Sequence, residues 1–477
     1  RGDRRWGEAQ ARANQTQTAV VITKGGPSQA GAKAASSHTA ALTGSDAVYN
    51  AVFRQYGVPR ATGAEELLDI AYMCARVTPP EGDKLGIVTV SGGAGVQICD
   101  AAERHQLTVP PMPDAVQREL LTLLPYAGVA NPVDVTAQAM QQMELLATGL
   151  RLVIASKAFD AILAFFTTSP LFEAFADPLR EAIVSGTADR GEEPIILCMI
   201  ADEEVVSRYE ADGFLVYEDI DRAVAALAAL TRIGRSWAIG LPELDQRQPD
   251  GVDPLPSGTL SEHLSKQLLG AAGIPLLPEV LVQTADEAID AATRLGFPAV
   301  LKVVSADLLH KSEAGGVELN LVDDKSVRAA FSRMLERVKH KAPDAIIDGV
   351  LVAPMAPAGV EMIVGVDYDP TFGPLLMIGL GGVFVEIFGD VSIRLAPVDA
   401  GQAREMIEQL AGAALLSGAR GQAVADMDAL IDLVVAVSDF AITHGSHLQS
   451  LDINPVLVLP AGQGVVALDA AITGIAS

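Results

Sequence analysis

Two histidines, one lysine, a glycine-rich turn and an amide–carboxylate pair are the residues of this 477-residue chain whose setting could support chemistry. His38 stands in Ser36-Ser37-His38-Thr39-Ala40-Ala41-Leu42-Thr43-Gly44, a run of small residues that leaves its imidazole approachable. Neutral imidazole is abundant near pH 7 and is a competent nucleophile for phosphoryl transfer. An ordinary loop histidine fits the same residues. Lys302 sits inside the apolar run Ala299 to Val304, where an unpaired ammonium is costly. It therefore meets an anion there, or faces water from an edge strand. His310 follows in the segment up to Gly315-Gly316, before the next apolar run. Strand, loop and strand in that order make a loop whose backbone N–H groups can cover a triphosphate. Asn454, in Leu451-Asp452-Ile453-Asn454-Pro455, and Asp469, closing Val465 to Asp469, end two successive strands that a hairpin would bring together. Mg²⁺ takes oxygen ligands and keeps several waters, so one or two such groups plus phosphates suffice. Asp452 shares a face with Asn454 and can support the pair. Gly92, Gly93 and Gly95, in Ser91-Gly92-Gly93-Ala94-Gly95-Val96, join a strand-like run to a helical one. A helix start offers unpaired N–H groups that favour an anion by about 0.3–1 kcal/mol, although such a turn serves equally as a tight connection. It lacks the P-loop spacing and its Lys-Ser/Thr. Asn131-Pro132-Val133-Asp134 reads as a turn held by side-chain bonds to backbone.

The elements that must hold these residues follow from the pattern. Apolar β-branched runs at Ala19 to Thr23, Leu85 to Val90, Ala161 to Phe166, Ile195 to Met199 and Leu215 to Tyr217 alternate with Ala-rich helical stretches, closing with Ala223 to Thr231. That alternation predicts an α/β fold with parallel sheets. Pro and Gly crowd Gly240 to Gly258, the clearest linker. Beyond it, a helix at Ser261 to Ala272 precedes a sheet-richer half. Its strands are expected at Ala299 to Val304, Gly316 to Val322, Gly349 to Ala353, Glu361 to Asp367, Gly373 to Gly379, Ile393 to Pro397, Leu448 to Leu459 and Val465 to Asp469, with helices at Lys325 to Lys339 and Ala400 to Leu410.

Composition narrows the function. With 34 basic and 60 acidic residues the formal charge is −26, so neither a nucleic-acid partner nor an anionic membrane surface is expected. Apolar runs do not reach the roughly 20 residues of a membrane span. The first residues, Arg1-Gly2-Asp3-Arg4-Arg5-Trp6, have neither an initiator Met nor the apolar core of a secretion signal, and the chain is expected to be a piece of a longer one. Cys74, Cys99 and Cys198 show no metal-ligand spacing; Cys99 and Cys198 read as buried, and the compartment as cytoplasmic.

These residues converge on a family. Lys24 through Ser36-Ser37-His38-Thr39 to Gly44-Ser45-Asp46-Ala47 resembles the phosphohistidine segment of the NDP-forming acyl-CoA synthetases, in the succinyl-CoA synthetase superfamily; Ala40 replaces a usual glycine. The resemblance implies flavodoxin-like, succinyl-CoA synthetase-like domains followed by an ATP-grasp domain. Residues 1–80 would be a partial domain with the phosphohistidine segment, 84–238 a second flavodoxin-like domain, 239–258 a linker and 259–477 the ATP-grasp domain. The family's CoA-binding domain would lie upstream of Arg1. The resemblance further implies that His38 carries a phosphoryl group, with Gly92, Gly93 and Gly95 at one of two helix starts facing it. His310-Lys311-Ser312-Glu313-Ala314-Gly315-Gly316 resembles the segment of the ADP-forming acetyl-CoA synthetase branch that holds a second, relaying histidine. By the same resemblance Lys302 meets phosphates, the backbone at Ala353 and Met355 reads adenine, Glu361 holds ribose, and Asn454 and Asp469 hold Mg²⁺; the residues themselves add Gly315 and Gly316 at the return of the phosphate-covering loop, and Arg394 as a charge that helps neutralise a triphosphate. The implied reaction joins a small carboxylic acid to CoA with ATP giving ADP, in a homo-oligomer assembled through the full-length chain. The same domains also occur as the regulatory part of a fused lysine acetyltransferase or in a lyase that begins with CoA ligation, and a non-catalytic sensor would keep the binding residues alone.

Overall fold

The computed structural model describes residues 9–10, 12–25, 45–136, 141–239, 254–305, 308, 315–381, 389–418, 421 and 423–475. The chain divides into two compact units, Glu8–Leu241 and Pro242–Ser477.

In the first unit, β1 (Ile22–Thr23) pairs in parallel with β2 (Arg60–Ala61). A five-stranded parallel sheet follows, built from β3 (Leu85–Thr89), β4 (Val133–Asp134), β5 (Ala161–Thr167), β6 (Ile195–Met199) and β7 (Leu215–Tyr217) in the order β4-β3-β5-β6-β7. This is the flavodoxin-like order, in which the crossover direction reverses between the first and third strands of the sheet, here β3 and β5. The strands are apolar at nearly every position because helices cover both faces. Successive residues feed opposite cores. Val88, Ile162, Ala164, Ile195 and Leu197 pack with helices Met143–Ala155 and Glu173–Gly186. Leu85, Ile87, Leu163, Ile196 and Cys198 pack with helices Ala64–Cys74, Gly92–Arg104 and Ile220–Ile239. Short β4 reaches only Val88 and Thr89 of β3. The Asn131 amide serves the rest of that edge: its Oδ1 accepts from Ile87 N–H at 2.9 Å, and its Nδ2 donates to the Leu85 and Pro110 carbonyls at 3.0 and 2.8 Å.

Cys198 is fully buried, and desolvation together with the Asp219 charge pushes its thiol up to about 12; Cys99 is only part-buried. Iodoacetamide at pH 8 is therefore expected to label Cys198 only in unfolded protein, because the thiolate is the nucleophile. Peptide mapping that finds native Cys198 alkylated as fast as a free thiol would contradict this burial.

The second unit carries two antiparallel sheets. After β8 (Gly258–Thr259) come β9 (Val280–Val282), β10 (Ala299–Val304), β11 (Val317–Leu321) and β12 (Gly349–Pro354). The last four pair in the order β11-β10-β12-β9 and pack against helices Ala285–Leu295 and Asp324–Lys341. Then β13 (Val360–Asp369), β14 (Gly373–Leu380), β15 (Val391–Leu395), β16 (Leu448–Val458), β17 (Val465–Ala467) and β18 (Ala470–Gly474) join β8 in a seven-stranded sheet of order β15-β14-β13-β16-β18-β8, with β17 also on β16. One face of it, including Met362, Val364, Val366, Leu376, Ile378, Leu451 and Ile453, packs on helices Ala400–Glu408 and Met427–His444. The second of these helices is long and apolar enough to cross a membrane, which the sequence reading did not anticipate. Its Leu430, Val434, Val437 and Ala441 are fully buried in this core, as expected for the central helix of a packed sheet.

Candidate active site

The alternation along β16 turns Ile453 into the core and leaves Asp452 and Asn454 on the open face. The expected hairpin takes a more particular form. Both β17 and β18 pair with β16, on the same edge, and the chain breaks between them at Leu468-Asp469. The break lies opposite Asn454-Pro455: Asn454 N–H donates to the Asp469 carbonyl at 3.2 Å, and Leu468 N–H to the Pro455 carbonyl at 3.0 Å. Lys302 reaches this break from β10. Its Nζ donates to the Leu468 carbonyl at 3.0 Å and lies 3.6 Å from Asp469 Oδ2. The approach of β10 to the β17–β18 break thus brings together an ammonium and an oxygen-rich corner from two different sheets and from positions far apart in sequence. Asp452 retains exposed surface, but surrounding protein strips part of its hydration and Asp469 adds like charge, and both raise its carboxyl above the usual carboxylate range. Crowded oxygen donors that resist sharing negative charge are the chemistry a hard divalent cation relieves. The donor set therefore fits Mg²⁺, which Asn454 and Asp469 would hold with Asp452 beside them.

Behind Lys302 lies a charged group that sequence reasoning missed. Glu262, at the start of helix Glu262–Ala271, is 1% exposed in its side chain and sits 3.4 Å from Lys302 Nζ. Lys266, one turn on and 7% exposed, bridges Glu262 at 2.6 Å and Glu279 at 2.8 Å. Burial lowers the Lys266 pKa, but the two carboxylates outweigh it and the net shift is upward. The signal available was the Glu262/Lys266 spacing of four on an amphipathic helix.

The other expected nucleotide contacts divide. Glu361 lies exposed on β13; its carbonyl accepts from Gly381 N–H at 2.7 Å, and a side chain at Gly381 would strike the Glu361 backbone. Gly315 adopts φ +73°, a backbone region glycine favours, and the Gly316 carbonyl accepts from Val303 N–H, which ties Gly316 to β10. Ala353 pairs with Val300 at the end of β12. Met355 N–H donates to the Pro298 carbonyl at 2.8 Å. Arg394 is a correction. It is in register with Leu376, and through it with Val366 and Leu451, on the helix-covered face, and it donates to Glu405 at 2.7 Å. It points away from Asp452 and Asn454, so it does not join the phosphate group.

In the first unit, Gly92 and Gly93 open helix Gly92–Arg104 with exposed backbone at the β3/β5 switch point, where ligands of such sheets bind. The Asp134 carboxylate lies close by, 3.1 Å from where a Gly92 Cβ would be. Gly95 differs from its expected role: its N–H donates to the Ser91 carbonyl, and it is buried against Pro132, so it is a packing glycine. His38 and His310 lie outside the described residues.

Against known proteins, residues 256–473 match the ATP-grasp domain model, and residues 2–74 match that of the succinyl-CoA ligase like flavodoxin domain. The beta subunit of ADP-forming acetate–CoA ligase II from Pyrococcus furiosus is 40% identical over 211 residues, which cover 44% of this chain and 89% of that one. The chain belongs to the ADP-forming acetate–CoA ligase family. Within that family, ADP-forming acetate–CoA ligase I of Archaeoglobus fulgidus is 35% identical over 466 residues, and the ADP-forming 4-hydroxybutyrate–CoA ligase of Nitrosopumilus maritimus is 32% identical over 462. Each alignment covers 94% of this chain and 65% of the relative, so the chain spans about two thirds of the length of these ligases. Lys302, Asn454 and Asp469 all fall within the ATP-grasp match.

Proposed function

We propose that this chain carries the phosphoryl-transfer part of an ADP-forming acid–CoA ligase, which converts a small carboxylic acid, CoA and ATP into acyl-CoA, ADP and phosphate. The observation that carries the reading is the meeting of the Lys302 ammonium with the Leu468 carbonyl and the Asp469 carboxylate, at the strand break that Asn454 pairs with through its backbone. Lys302 would orient the nucleotide phosphates, while Glu361 would hold ribose on the same open face of the sheet. Mg²⁺ bound at Asn454 and Asp469 would supply neutralisation of phosphate charge. His310 would take the γ-phosphoryl group from ATP in line and pass it to His38. The phosphohistidine would then be received at Gly92 and Gly93, whose N–H groups favour its charge, and would phosphorylate the acid. CoA sulfur displaces phosphate from the resulting acyl phosphate, closing the balance. Positioning and charge neutralisation carry such transfers. Relatives named for acetate and for 4-hydroxybutyrate match at similar identity, so the proposal extends to a class of small acids. The reading includes assembly as a homo-oligomer and work in the cytoplasm.

Incubation with Mg·[γ-³²P]ATP is expected to label the chain on histidine, seen as acid-labile, base-stable phosphate. His310→Ala is expected to abolish labelling, whereas His38→Ala leaves label on His310 alone. Label that persists when both are alanine overturns the scheme.

A further inference from the structure

Five side chains of alternating sign form one string in the second unit. From Glu279 to Lys266, Glu262, Lys302 and Asp469, the successive N···O separations are 2.8, 2.6, 3.4 and 3.6 Å. Glu262 and Lys266 are buried and Glu279 keeps 12% of its side chain exposed, whereas Lys302 and Asp469 keep 21% and 35%. The string therefore has a more buried inner end and a more exposed outer end. At that outer end an ammonium lies against the carboxylate read above as a metal ligand.

We propose that Lys302 holds the metal's place on Asp469 until metal and nucleotide arrive, and that Glu262 is the positioning residue that keeps the displaced ammonium in the site. This rests on the reading of Asp469 as a metal ligand. A divalent ion and an ammonium on one carboxylate repel each other at short range. Lys302 need not swing away to make room, because its Nζ already touches the Leu468 carbonyl and Glu262. Glu262 can receive it because its nearer partner, Lys266, is shared with Glu279. Held there, the ammonium stays beside the metal and faces incoming phosphates, which offer it a second anion. Metal alone then binds weakly, and metal and nucleotide favour each other through one exchange of ion pairs.

The test is a titration of the whole chain with Mn²⁺ alone, following free Mn²⁺ by electron paramagnetic resonance. Asp469→Asn defines the background from the acidic surface. Lys302→Met is expected to tighten the Asp469-dependent site by roughly three- to tenfold, because the competing cation is gone. Glu262→Gln is expected to weaken it by a similar factor, because the ammonium has lost its other acid. Lys302→Arg keeps the competing charge and should stay near wild-type affinity. A merely structural ion pair would loosen metal binding in both Lys302→Met and Glu262→Gln, so the opposite signs are the diagnostic result. Unchanged or weaker Mn²⁺ binding in folded Lys302→Met, with the Asp469 dependence intact, overturns the exchange alone. Mn²⁺ binding that is indifferent to Asp469→Asn overturns the metal reading, and the exchange with it.

Discussion

Asp469→Ala is expected to reduce Mg·ATP-dependent histidine labelling by roughly 100-fold or more, since loss of even an outer-shell partner of a metal costs about 10- to 100-fold. Two effects combine in this variant. The corner loses the carboxylate at the β17–β18 break that lies in contact with Lys302, and Asn454 is left with an amide oxygen and its neighbour Asp452. The fold should survive. Asp469 keeps about a third of its side chain exposed, and Lys302 retains Glu262 and the Leu468 carbonyl when it goes. A thermal melt within a few degrees of wild type, together with lost labelling, is the expected pair of results. Full labelling in a folded Asp469→Ala chain would move the metal elsewhere.

Lys266→Ala should do the reverse, sparing the exposed groups and striking stability. Removing one partner of a buried ion pair leaves an uncompensated charge and costs about 3–5 kcal/mol. Here it leaves two, Glu262 beside the part-exposed Lys302 and Glu279 beside His263. Urea unfolding of the Pro242–Ser477 unit should show this loss, and replacing Glu262 and Glu279 by Gln in the same background should recover much of it. A loss below about 1 kcal/mol would mean that water reaches the cluster and screens it as it does surface pairs. The pH dependence has a definite sign. Because the folded Lys266 pKa lies above its ordinary value of 10.5, its contribution is complete below that pH and disappears only as pH climbs through the raised value. Wild-type stability should therefore show no Lys266-linked loss at neutral pH.

What was legible in the sequence tracks how local the determinants are. Ile195–Met199 and Leu215–Tyr217 emerge with the expected limits because a short apolar run buried on both faces has few alternatives. Helix Met427–His444 was missed because it is apolar on nearly all sides and shows little periodicity to read. Strand β18 was missed because Ala470-Ala471-Ile472-Thr473-Gly474 has small side chains and gains its strand character from pairing with β16. In the site, Lys302 and Asp469 could be named from residue type, but their contact is a tertiary fact. Arg394 shows the opposite failure: its charge was legible, but the face it occupies depends on a register running through three other strands. Gly95 was read as a ligand contact because Gly92, Gly93 and Gly95 look alike in sequence, whereas only the first two keep exposed backbone.

The division of the five-stranded sheet between two cores bears on error correction. In a sheet with one wet face, a strand that slips by one residue exposes its apolar set, and the mistake is rejected energetically. In β3, β5 and β6 both sets are apolar, so a slipped strand still buries oil on either side and pattern alone gives little protection. Discrimination must come from groups that recognise one particular peptide unit. Asn131 is such a group: it clasps Ile87 N–H and the Leu85 carbonyl at once and cannot do so one residue along. On this view Asn131 is a proofreading peg for β3, the strand that sets where the Gly92 helix begins.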